Sequence, residues 1–154
     1  MREYTVPALI LLCFASASAQ VTPQGWKPIR DSKGACHVAV PPDWSPLSDA
    51  AGAAVLGDAN TAIAAITSQP GQVFKPLTEA LVKSLEIRKD KLFENTAKRI
   101  FYQDKISHGP DDPHAYSASV PGKDGTCSCH IVFLPNVSDE TIRKIVLSLG
   151  PVAD

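Results

Sequence analysis

The sequence predicts an α+β fold in which an antiparallel β-sheet is covered by two amphipathic helices. Several short segments alternate apolar and polar residues with period two, which is the pattern of half-buried strands. Two other segments repeat apolar residues every three or four positions, which is the pattern of amphipathic helices. Short turns connect the later strands, so neighbouring strands are expected to pair antiparallel. Both helices must then lie on the sheet to bury their apolar stripes.

The first nineteen residues have the features of a signal peptide. Arg2 precedes an apolar run over Val6–Phe14, and small residues follow up to Ala19. The run is shorter than the ~20 residues of a membrane-spanning helix. We therefore expect cleavage near Ala19 and a secreted or periplasmic protein that does not span the membrane. Cys13 is expected to leave with the peptide. A lipid anchor on this cysteine is disfavoured, because lipoprotein signals have a small residue where Leu12 stands.

The remaining chain has the length and charge of one soluble domain. The formal net charge is −1, and the leader removes one acidic and one basic residue, so this balance does not change. No cluster of lysine and arginine supplies the basic face that nucleic-acid binding requires, and we expect no nucleic-acid partner. We predict a flexible tail over residues 20–24 and a single α+β domain over residues 25–152.

Two strands are predicted in the first half of this domain. Ala35–Val40 alternates, with Cys36 on one face and His37 on the other, and the prolines from Pro41 onward end the strand. Thr61–Thr67 is short and apolar and is bounded by turn-forming residues, so it is predicted to be a buried strand.

A helix and three further strands are predicted after Pro76. This proline suits the first turn of a helix, whose stripe consists of Leu77, Leu81 and Leu85. The strands that follow are expected to form an antiparallel meander, with an Asp-Gly turn before the last strand. Their predicted ranges are Ala97–Ile106, His114–Val120 and Thr126–Leu134.

The last predicted helix begins at Ser138, which suits an N-cap, and ends at Gly150-Pro151. With this helix the order of elements resembles that of the PsbP-like family of small exported domains. The segment CHVAVPPDW, Cys36–Trp44, and the terminal SDETIRKIVLSLGPV helix carry the resemblance. It implies an α/β/α sandwich and a mostly non-enzymatic role, as in photosystem accessory subunits and bacterial envelope proteins. It assigns no catalytic residue.

Three cysteines remain after the predicted cleavage, namely Cys36, Cys127 and Cys129. Exported proteins tend to oxidise their cysteines, and all three are expected to face the core. The segments around Cys36 and Cys129 have the same pattern, in which Cys-His is followed by an apolar run and a proline. We predict a disulfide between Cys36 and Cys129, with Cys127 as the alternative partner. Haem attachment is disfavoured, because Cys127 and Cys129 are one residue too close for the Cys-x-x-Cys-His motif.

The same residues allow a metal or redox site as an alternative. Thiolates select zinc or copper(I), so Cys127 is a weak candidate ligand. His37 and His130 are expected on the opposite faces of their strands from the cysteines. If the two strands are neighbours, these histidines lie side by side and are further weak candidates. The simpler interpretation is that they are ordinary surface histidines, and no cofactor is predicted.

Aromatic residues are the remaining candidates for a binding site. Trp26, Trp44 and Phe74 are expected to close the core at a sheet edge, or alternatively to line a ligand groove. No nucleophile elbow or phosphate-binding loop is present. The sequence therefore predicts a non-catalytic exported domain, stabilised by a disulfide, that binds a protein or small ligand in the envelope or extracellular space. The alternative is a thiol-based redox or metal-binding envelope protein.

Overall fold

The structure is a computed structural model that describes residues 22–50, 53–58, 62–105 and 112–153. The predicted signal peptide lies outside the described residues. The described strands, in chain order, are β1 Lys27–Arg30, β2 Cys36–Val40, β3 Ser45–Ala50, β4 Ala53–Asp58, β5 Ala62–Pro70, β6 Leu92–Asn95, β7 Ile100–Asp104, β8 His114–Pro121, β9 Gly125–Phe133 and β10 Gly150–Pro151. The helices are α1 Glu79–Ser84 and α2 Asp139–Leu147, with a short 3₁₀ turn at Lys89–Lys91.

The strands form two antiparallel sheets, and the predicted fold class is wrong. The small sheet has the order β1-β2-β10, and the large sheet has the order β3-β4-β5-β9-β8-β7-β6. The protein is thus mostly β, and it is not an α/β/α sandwich with two covering helices. The small sheet and α2 together cover one face of the large sheet, which leaves α1 without a place on that face.

The core lies between the small sheet with α2 on one side and the inner face of the large sheet on the other. Alternation puts every second residue of the central strands on this face, as the pleat requires. From β9 these residues are Cys127, Cys129, Ile131 and Phe133, and all four are buried. Opposite them, α2 buries Ile142, Ile145 and Val146 in the same cluster.

Ser148 joins α2 to the small sheet. Strand β10 is only two residues long and pairs with Cys36 and His37, so the Ala39 N–H further along β2 has no partner in β10. The buried Ser148 hydroxyl accepts this hydrogen bond from the Ala39 N–H at 2.7 Å and donates its own proton to the Ile145 carbonyl at 2.6 Å. The side chain therefore replaces one rung of a ladder, which satisfies a buried donor.

Helix α1 is fixed at both ends but buries none of its own residues. At its start, the Asn95 side chain accepts from the Leu77 N–H at 2.8 Å and donates to the Leu77 carbonyl at 3.0 Å. At its end, Glu86 has a left-handed φ of 54°, and the next residue, Ile87, donates to the Val82 carbonyl at 3.0 Å. This is a Schellman motif, and Ile87 is the buried residue that anchors it.

Both edge strands of the large sheet are irregular. The register of β3 shifts between Pro46 and Ser48, and that of β6 shifts between Leu92 and Glu94. Such bulges twist the backbone and interrupt the regular row of hydrogen-bonding groups. None of the helices in the described ranges is long and apolar enough to cross a membrane.

Candidate functional site

A disulfide connects the two sheets. Cys36 of β2 is bonded to Cys127 of β9, with 5.6 Å between their Cα atoms. The structure therefore contains the alternative pairing and not the preferred bond between Cys36 and Cys129. Cys129 lies two residues further along β9, roughly 7 Å away, because a strand rises by about 3.4 Å per residue.

Cys129 is a free thiol inside the core. Its neighbours across the sheet are Ile66 and Ala118, so its surroundings are apolar. Burial raises the pKa of the Cys129 thiol to about 12, which keeps it protonated at neutral pH. A protonated buried thiol is neither a nucleophile nor a metal ligand.

A cleft of about 410 Å³ opens at the disulfide end of the sheets. It lies between the β1–β2 turn, the β8–β9 turn, the end of β5 and the chain after β10. Its lining combines apolar and polar groups, among them Lys33, Cys36, Ser68, Pro70, Asp124, Thr126, Cys127, Val152 and Ala153. The volume is within the ~300 to 1,000 Å³ typical of small-molecule sites. We call this space the disulfide cleft.

Two glycines give the disulfide cleft its shape. A Cβ on Gly125 would lie 2.1 Å from the Gln69 carbonyl oxygen, so only glycine lets the β8–β9 turn approach β5 this closely. Gly34 has a φ of 69° at the tip of the β1–β2 turn, where glycine avoids the strain of a left-handed backbone. The turns on both sides of the cleft therefore depend on glycine.

A buried carboxylate fixes the β1–β2 turn beside the cleft. Asp31 is 4% exposed, and its Oδ1 accepts from the N–H groups of Ala35 and Cys36, each at 2.8 Å. Burial raises the pKa of Asp31, but the Ser68 hydroxyl and these backbone donors lower it by more, so the net pKa is below its ordinary value. Asp31 is thus an anion held in place by the residues that it orders.

The weak metal candidates His37, His130 and Cys127 are not brought together. Cys127 is in the disulfide, His37 is on the small sheet, and His130 is on the outer face of the large sheet. The two histidines are therefore not side by side, because their strands belong to different sheets. Burial lowers the pKa of His37. No group of three metal-ligating side chains occurs in the described part of the chain.

Sequence reasoning missed a polar cluster on the outer face of the large sheet. The Ser117 hydroxyl donates to Asp104 Oδ2 at 2.5 Å and lies 2.9 Å from His130 Nδ1, which is itself 3.3 Å from the same carboxylate oxygen. Ser117 and Asp104 both contact the same nitrogen of His130, Nδ1. The histidine therefore does not bridge the acid and the serine through its two nitrogens, as it does in a catalytic triad. Alternation on β8 and β9 puts Ser117 and His130 on one face and could have indicated the pair.

The aromatic candidates are spread over different places. Trp44 is buried in the core and Trp26 packs against it, whereas Phe74 lines a second cleft of about 390 Å³. That second cleft lies on the other side of the β8–β9 turn and also includes Val73 and Ala97. The three aromatic residues therefore do not line one groove.

A further cluster holds the start of α2 on the large sheet. The Arg143 guanidinium lies 4.3 Å from the centre of the Phe93 ring and 5.6 Å from that of Tyr116. It also donates to Asp139 at 2.6 Å, and the Tyr116 hydroxyl donates to the same carboxylate. Burial and then the bond to Asp139 raise the pKa of Tyr116 to about 12.

Comparison of the chain with models of known protein families, with curated proteins and with solved structures found no match. The resemblance to the PsbP-like family therefore stays a prediction.

Proposed function

We propose that this protein is an exported, non-catalytic binding domain that holds a small ligand in the disulfide cleft. The observation that carries the proposal is the cleft itself, which has the volume of a ligand site and walls from both sheets. The Cys36–Cys127 bond lies in its wall and fixes the two sheets relative to each other. A preformed site loses little free energy to ordering when a ligand binds.

The disulfide also supports export. Such bonds persist in oxidising compartments, and a cleaved signal peptide would deliver the chain to one. The thiol-based alternative is disfavoured by Cys129, whose burial and raised pKa oppose reaction, and by the burial of Cys36 and Cys127.

The lining indicates a ligand with an apolar stem and a polar head. Pro70, Val152 and Ala153 offer an apolar wall, whereas Lys33 and Asp124 supply charges of opposite sign. Hexanoate and hexylammonium share one stem and carry opposite charges, so they are a matched pair of probes for this cleft.

Chemical-shift mapping by NMR tests the proposal with these two probes. We expect one of them to shift the amide signals of Gly34 and Thr126 at millimolar concentration, the affinity range of a small fragment. Ala153→Trp should fill the cleft and abolish the shifts, and Ala97→Trp, in the second cleft, should leave them unchanged. The proposal is wrong if neither probe shifts these signals, or if both variants behave alike.

A further inference from the structure

An apolar and basic surface remains on the segment Val73–Lys91, which connects β5 to β6. Leu81 on α1 and Leu85, its C-cap residue, lie one helical turn apart and are 48% and 47% exposed, and Val73 is 75% exposed. The leucine stripe that predicts a covered helix is thus present, but the described residues cover only about half of Leu81 and Leu85. We call this region, with its lysines, the α1 surface.

The protein holds this helix in place with its leucines outward. The two hydrogen bonds between the Asn95 side chain and the Leu77 backbone fix its start, and the buried Ile87 with the Schellman motif fixes its end. Glu86 at that end also pairs with Lys105. A six-residue helix is far too short to be stable alone. These anchors therefore maintain an amphipathic turn that contributes no buried side chain to its own domain.

The charges of the α1 surface are unbalanced. Four of its lysines have no acidic partner among the described residues, against one such glutamate, Glu79. These lysines are Lys75, Lys83, Lys89 and Lys91. The segment's other charged side chains are paired, Arg88 with Asp90 and Glu86 with Lys105. The whole chain has a net charge of −1, so the positive excess is local and favours an anionic partner.

The size of the apolar part favours a lipid surface over a protein. The exposed parts of Val73, Leu81 and Leu85 together amount to on the order of 300 Å². A standard protein interface buries roughly 450 Å² of apolar area on each side, because it buries ~800 Å² per partner and about 57% of that is apolar. Shallow insertion of a few apolar side chains, combined with lysines near anionic headgroups, is by contrast how peripheral proteins bind membranes. We infer that the α1 surface docks on an anionic lipid surface.

Sedimentation with vesicles tests this inference on the purified protein. The vesicles contain 70% phosphatidylcholine and 30% phosphatidylglycerol, and pure phosphatidylcholine vesicles serve for comparison. We expect binding only to the anionic vesicles, weakening as salt rises, because the screening length falls from about 10 Å at 0.1 M salt to about 3 Å at 1 M. Lys75→Gln should weaken binding roughly fivefold, from about 1 kcal/mol per lysine near the surface.

Leu81→Ser and Leu85→Ser should each weaken binding by up to roughly thirtyfold, since about half of each leucine, on the order of 90 Å², is left to bury at ~25 cal/mol per Å². Matched controls are Leu147→Ser on α2, where the leucine is 45% exposed, and Lys27→Gln on β1. Both should bind like the wild type, and unchanged thermal melts should show that the variants fold.

Three outcomes would overturn the inference. The wild type could remain in the supernatant with anionic vesicles at low salt, or the controls could weaken binding as much as the α1 variants. The third is a dimer in sedimentation equilibrium that Leu81→Ser dissociates, because a second copy of the chain would then cover the surface. None of these results bears on the disulfide cleft, which lies elsewhere and is tested separately.

Discussion

Replacing Cys36 and Cys127 by alanine should remove a large part of the stability of the protein. The bond joins residues separated by 91 positions. Closing a loop of this length lowers the entropy of the unfolded chain enough to stabilise the fold by about 4.5 kcal/mol at 25 °C. Whole domains of this size are stable by only ~5 to 15 kcal/mol. We therefore expect the double variant to be marginally folded in water, with a urea midpoint well below that of the oxidised wild type.

Equilibrium unfolding in urea measures this change, and Cys129→Ala is the matched control. That variant loses a buried sulfur but keeps the disulfide, so its free energy of unfolding should fall by only ~1 to 2 kcal/mol. A loss below about 1.5 kcal/mol in the double variant would refute the argument from loop closure.

Stability alone does not distinguish Cys127 from Cys129 as the partner of Cys36, because the two loops have almost the same length. Alkylation of the mature protein without reductant does. In urea, one thiol should react and peptide mapping should find it at Cys129, whereas the folded protein should react slowly because this thiol is buried with a raised pKa. Modification at Cys127 would show that the pairing is different in solution.

Three further predictions concern single side chains. Ser148→Ala should lower the free energy of unfolding by ~1 to 3 kcal/mol, because the buried Ala39 N–H loses its acceptor, and a change within error in urea titrations would contradict this. Glu86→Gly should raise the melting temperature by about 3 °C, since glycine adopts the left-handed φ without strain, and an unchanged or lower value in calorimetry would argue against strain at this position. Tyr116 should ionise near pH 12 in an ultraviolet titration, because burial and then the bond to Asp139 raise its pKa. Asp139→Asn should lower this value, and an unchanged value in the variant would show that the bond does not contribute.

The bond between Tyr116 and Asp139 also predicts how the stability of the protein changes at acidic pH. Burial raises the pKa of Asp139, but the hydrogen bonds from Tyr116 and Arg143 lower it by more, so its net pKa is below the ordinary value of 3.8. A depressed carboxylate contributes stability above its unfolded pKa, and this contribution disappears as the pH falls through the folded value. Unfolding free energies measured between pH 6 and 2 should therefore fall less steeply below pH 4 in Asp139→Asn than in the wild type. Equal slopes would contradict the assignment.

Period-two alternation predicted the central strands well. The expected ranges Ala35–Val40, His114–Val120 and Thr126–Leu134 lie within a residue or two of β2, β8 and β9, and the meander of β7, β8 and β9 is present. Tertiary burial of one face gives these strands a clear pattern. Strands β3 and β4 were not predicted, because the segment Ser45–Asp58 is rich in serine, alanine, glycine and aspartate and shows no such alternation.

The helices show where local pattern fails. The expected helix from Pro76 shrinks to Glu79–Ser84, and Leu81 and Leu85 of its stripe are exposed instead of buried. A stripe indicates that a surface needs a partner, but it does not say whether the partner belongs to the same chain. Ser138 is the N-cap residue of α2 as predicted, yet its side chain makes no capping hydrogen bond.

The candidate site was less predictable than the strands. The involvement of Cys36 was expected, but the choice between Cys127 and Cys129 depends on where β2 crosses β9, which follows from packing between sheets and not from either strand alone. The disulfide cleft joins turns that are far apart in the sequence, so no local motif marks it.

The irregular edges of the large sheet have a consequence for the protein at high concentration. A flat, regular edge strand is a template on which a second chain can add a strand, and such additions begin fibrils. The shifts at Pro46 on β3 and at Leu92 on β6 break that template on both sides. Concentrated solutions of the folded protein should therefore remain clear and should not bind amyloid dyes, even though strands are the main secondary structure of the described residues.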